Sequence, residues 1–182
     1  MEKKYLSTLT QETVIFLSIF KWITLAAGVG ALVGAATAVF FKCLSMVSGS
    51  VHSFSNYYLF LPIALFCCSS LIYYFSPDSD GHGTEKVIES FHKNNGYIRA
   101  RVVPVKLVAT VLTIAFGGSV GKEGPCAQIG GGLASFFSNL FRFQKADRKK
   151  LVVCGISAGF AAVFGTPVAG ALFAVEALFV GS

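Results

Sequence analysis

The chain has 182 residues, 54% of them apolar and only 13% charged, with a mean hydropathy of +0.67. Ordinary soluble domains are roughly 25% charged, so the composition excludes a soluble globular enzyme, and its apolar content excludes a disordered chain. The net charge of +6 comes mainly from three groups, Lys3 and Lys4, then Lys93, Arg99, Arg101 and Lys106, then Arg142, Lys145, Arg148, Lys149 and Lys150. Basic groups set between apolar stretches are the pattern of cytoplasmic loops. Nucleic acid would require basic residues interleaved with exposed aromatics, so the expected partner is a lipid bilayer and no nucleic acid.

Residues 1–21 begin basic and turn polar, without a cleavage site after a short apolar core, and read as an N-terminal cytoplasmic segment. Residues 22–182 read as one membrane domain. Its first apolar run, Trp22 to Val47, is long enough to cross about 30 Å of hydrocarbon. Gly28, Gly30 and Gly34 within it predict close approach of another helix, and Lys42 is placed to snorkel. The segment 48–58 has no Lys or Arg and is expected outside. A second run, Tyr57 to Phe75, carries aromatic residues at both ends, as interfacial girdles do.

The later apolar segments are shorter and interrupted by glycine: Val102 to Phe116, Pro125 to Phe137, Ala146 to Val163 and Pro167 to Val180. Broken or re-entrant helices are tolerated at membrane depth only where they are buried in protein or line a polar cavity. The fold class is therefore all-α, a polytopic membrane protein with spanning and broken helices around a cavity. The five cysteines lie in apolar runs and read as small apolar residues.

Three glycine-rich breaks precede helices. Gly81, His82 and Gly83 lead to a helix with Thr84 at its cap, Gly124 precedes Pro125 at a helix start, and Thr166 and Pro167 repeat the arrangement. Helix starts attract anions through unpaired N–H groups. Several facing one cavity would hold an anion by partial charges alone, without a full cation, allowing quick release. Glu123 is the acidic residue within such a break. It either competes with an anion for those donors, or stabilises its own first helical turn or pairs with Lys122. The phosphate-loop pattern is broken at Phe116 and Glu123, and no metal-ligand spacing surrounds His82. Glu85, Lys86 and Glu89 fit a solvated helix face. No metal, cofactor or catalytic pair is expected, and the chain does not read as an enzyme.

GSVGKEGPCAQIGGGLASFF resembles the GREGP segment of the CLC chloride channel and transporter family, with Lys122 in place of the usual Arg. RVVPVKLVATVLTIAFGG resembles the helix before it, GISAGFAAVFGTPVAGALFAVE the two helices after it, and GHGTE stands where the family has GSGIP. The resemblance implies one half of an inverted-repeat fold, a homodimer with one anion pathway per subunit, and chloride as the permeant ion. It implies that Glu123 is the gating glutamate. By the same resemblance Gly81, His82, Gly83, Gly121, Lys122, Glu123, Gly124 and Pro125 border the anion sites.

This sequence departs from the family pattern in three places. His82 replaces the serine whose hydroxyl contacts the central anion, and Glu85 replaces a proline; a histidine N–H is an alternative donor. Ala177 stands where proton-coupled members carry an internal acid, with Glu176 beside it as the substitute on a proton route. The family's second-half GxFxP segment and pore tyrosine are not in these 182 residues, so a C-terminal half is expected in the same or another chain. The leading expectation is part of a voltage-gated chloride channel in the cell's inner membrane, with passive flow and no conduction by these residues alone. Proton-coupled chloride antiport and a non-conducting assembly subunit are the alternatives.

Overall fold

Residues 2–179 are described by the computed structural model, with side chains from Val14 to Leu178; Val180, at the end of the last expected run, lies outside them. Among the described residues the chain is helix and turn. Helix α1, Glu2–Val51, contains the expected run Trp22 to Val47 and is apolar from Val14 to Val51. Those 38 residues extend about 57 Å at 1.5 Å per residue, well beyond one hydrocarbon thickness. The helix continues without a break through residues 21 and 22.

The face that α1 turns to the bundle is Val29, Val33, Thr37 and Phe40, all buried, at the four- and three-residue spacing of one helix side. Gly28, Gly30 and Gly34 face open space, with nothing within 4 Å of a built Cβ. The close approach expected at these glycines is therefore not made there. It occurs instead between α5, Glu123–Leu140, and α6, Lys145–Phe164. A Cβ on Gly155 would lie 2.6 Å from the Ala134 Cβ and would collide with the Gly130 carbonyl. The two backbones touch, and the core of Val29, Val33, Leu151, Val152, Ile156 and Phe160 closes around them.

A 3-10 turn at Tyr57–Phe60 leads into α2, Leu61–Phe75, and together they form the second apolar stretch of spanning length. Helix α3, Thr84–Lys93, is short and amphipathic: it buries Val87 and Phe91 and pairs Glu89 with Lys86 and Lys93 on its outer face. Helix α4, Val102–Ala115, and α7, Pro167–Phe179, have 14 and 13 residues. At about 20 Å each they are too short to cross about 30 Å, as broken helices should be. Gly165 ends α6 in the left-handed conformation (φ 68°), its N–H bonded to the Ala161 carbonyl at 2.8 Å. Pro167 then opens α7 with a φ suited to a first helical residue.

Candidate functional site

Between α2, the turn Pro77–Ser79, the Asp80–Gly83 loop, α4 and the start of α5 lies a cavity of about 760 Å³. It brings together two breaks that are forty residues apart in sequence. Gly81, His82, Gly121, Glu123, Gly124 and Pro125 line it directly. Gly83 is a buttress behind the wall: a Cβ there would meet the Gly124 carbonyl at 2.7 Å and the Gln128 Oε1 at 3.1 Å. Its φ of +95° is one that L side chains rarely adopt. In return, a Cβ on Gly124 would collide with the His82 carbonyl.

The helix starts differ in detail from the sequence expectation. Gly83, with its positive φ, is the cap of α3, and Thr84 is the first helical residue, making no side-chain capping bond. Helix α5 begins at Glu123 with Lys122 at the cap, so Pro125 is the third helical residue. The first-turn amides of a helix have no intrahelical acceptor, so proline is tolerated anywhere in that turn. Because Pro125 carries no N–H, Glu123 and Gly124 are the amide donors ahead of it.

Glu123 is half-buried, and its carboxylate folds back against Gly121 so closely that a Cβ at 121 would collide with Oε2. Among the described residues it makes no ion pair with Lys122. The Lys122 ammonium instead lies 5.3 Å from the centre of the Phe41 ring, and Lys122 is not in the cavity wall. The Gly81 N–H donates to the Asp80 Oδ1 at 2.8 Å, so a carboxylate of the chain already holds that donor. Glu176 is exposed on α7 and lies outside the cavity wall.

Helix α4 supplies what residue-by-residue reading missed. Lys106, Thr110 and Thr113 line the cavity from one face of the helix. By sequence Lys106 belongs with the loop bases Lys93, Arg99 and Arg101, but its side chain is buried, at 5% exposure. Its Nζ donates to the Ser79 carbonyl at 3.0 Å and the Gly81 carbonyl at 2.6 Å. The cavity is therefore lined by a lysine side chain as well as by helix starts. The signal was present in the sequence as polar residues at i, i+4 and i+7 in an otherwise apolar segment.

The loop is held from α5 and from outside as well. The Gln128 Nε2 donates to the Asp78 carbonyl at 2.8 Å, and the Asp78 carboxylate faces Arg99 at 3.4 Å. On the far side of α3, the His92 Nε2 lies 2.8 Å from the Leu178 carbonyl, tying α3 to α7.

A family model described as voltage gated chloride channel matches residues 63–181. A chloride/fluoride channel protein of Pseudomonas syringae pv. tomato is 39% identical over 163 residues, which are 90% of this chain and 36% of that protein. The crystal structure of a CLC-type fluoride/proton antiporter superposes with a TM-score of 0.80 at 33% identity. The superposition covers 92% of this chain and 42% of that one. The chain thus spans well under half the length of these relatives.

Proposed function

This chain belongs to the voltage-gated chloride channel family, the CLC channels and transporters, and from that premise we propose that it forms the first half of a proton-coupled exchanger of a small halide. The observation that carries the reading is the single cavity on which Gly81, His82, Glu123 and Gly124 converge. Backbone donors at the start of α5 attract an anion, and the Glu123 carboxylate, folded beside them, competes for the same place. Protonation removes its charge and lets the halide in; loss of the proton drives the halide out. One group then links the two fluxes.

Ala177, taken by itself, favours passive chloride flow. Similarity to a fluoride/proton antiporter favours the coupled alternative instead. The halide is chloride or fluoride, the two ions in the names of the similar proteins. Glu176 lies away from the cavity, so the proton step in this half rests on Glu123. A second half closes the pathway, in an inner-membrane homodimer with the N-terminus cytoplasmic.

The test is halide flux in vesicles containing the full-length protein, with Glu123→Gln as the comparison. Gln mimics the protonated side chain, so flux should become less dependent on external pH. Unchanged pH dependence would remove Glu123 from the mechanism.

A further inference from the structure

A second concavity, a groove of about 490 Å³, shares no lining residue with the halide cavity. Ile15, Ile19, Trp22, Ile23 and Ala26 line it from one face of α1, and Cys154 of α6 lines it opposite. From Ile15 to Ala26 the helix rises about 16 Å, roughly one leaflet's share of about 30 Å of hydrocarbon. Ile15, Ile19 and Ile23 are each more than half exposed.

Two ammonium groups converge on this apolar floor. The Lys150 Nζ lies 4.6 Å from the centre of the Trp22 ring, and the Lys21 Nζ lies 5.9 Å from the same centre. Among the described residues Lys21 has no carboxylate partner, and Lys150 meets the Asp147 Oδ1 at 3.7 Å. That pair is solvent-facing on the lysine side and contributes little. Residues 142–150 hold five bases against this one acid, so the groove has a strongly positive rim.

We propose that this groove binds an anionic phospholipid of the cytoplasmic leaflet, its phosphate held by Lys21 and Lys150 and an acyl chain laid along Trp22, Ile23, Ala26 and Cys154. Charge complementarity selects the occupant. A basic pocket between membrane helices on the cytoplasmic side suits an anionic headgroup, and the apolar floor beneath it suits a hydrocarbon chain. Two like charges brought to one ring repel each other, and a phosphate between them relieves that repulsion. A zwitterionic lipid relieves it less, because its own cation accompanies the phosphate. A protein helix laid in the groove would cover both ammonium groups and would have to bring carboxylates to them. Trp22, amphipathic and flanked by the two lysines, suits the level where headgroups meet chains.

The inference is independent of halide exchange and needs only the cytoplasmic placement of this end of α1. Trp22 is the one tryptophan of these 182 residues, and it sits in the groove, so its fluorescence reports the occupant. The full-length protein is reconstituted in phosphatidylcholine vesicles containing phosphatidylglycerol, with bromine on the chains of one lipid or the other, and the signal of Trp22→Phe is subtracted. Brominated phosphatidylglycerol should quench Trp22 with an apparent affinity about fivefold or more above that of brominated phosphatidylcholine, the scale of one basic side chain at an anionic surface. Added salt should shrink the ratio. Lys21→Gln combined with Lys150→Gln should bring it to about one, while the double Arg variant should keep it. Thermal unfolding in detergent gives a second readout: phosphatidylglycerol should raise the wild-type midpoint and leave the double Gln variant unchanged. Equal quenching by the two lipids, or a preference that survives in the double Gln variant, would overturn the inference. So would the absence of quenching by either lipid, which would mean that protein covers the groove.

Discussion

The carbonyl of His82 rests on the α-carbon of Gly124, leaving no room for a side chain. The two glycine-rich breaks are thus one structure, with the loop before α3 seated on the first turn of α5. The reciprocal contact of Gly83 with the Gly124 carbonyl locks the arrangement from the other side.

Gly124→Ala should therefore displace the loop. Forcing one methyl into a filled contact costs about 1–3 kcal/mol, and here it meets backbone, which cannot rotate away. The expected outcome is a lower unfolding temperature in detergent together with weakened halide uptake. Unfolding and uptake at wild-type values would show that the contact is looser than the structure has it.

Gln128 gives a milder test of the same loop. Gln128→Leu removes the bond to the Asp78 carbonyl but also a buried Oε1 that has no partner. Losing the bond costs about 1 kcal/mol, and leaving a carbonyl unpaired costs more, while removing the orphaned oxygen offsets part of it. The net destabilisation expected is about 1 kcal/mol, with halide uptake retained. A collapse of expression would mean that Gln128 carries more of the loop than these bonds account for.

The helices and their order were readable in the sequence because apolar runs and prolines announce them. Pro167 opens α7, and Tyr57 to Phe75 is one continuous stretch of spanning length. The start of α5 lies two residues before Pro125, which fits any position in a first turn. The glycines that pack cannot be told apart by sequence, for a plainer reason. Gly28, Gly30 and Gly34 look in sequence like Gly130 and Gly155, and only the tertiary fold decides which of them meets another backbone. Lys106 resembles a loop base in sequence because it follows other bases closely. Its partners, the carbonyls of Ser79 and Gly81, carry no signature in residue type at all.

Coupling between halide and proton is the centre of the account, and one measurement addresses it most directly. Vesicles containing the full-length protein are given a fluoride or chloride gradient across the membrane, with no initial pH difference and the membrane potential clamped, and internal pH is followed. One of the two halide gradients is expected to drive protons uphill in wild type, and Glu123→Gln to abolish proton movement. Rapid halide flux with no proton movement in wild type would contradict it and mark the protein as a channel.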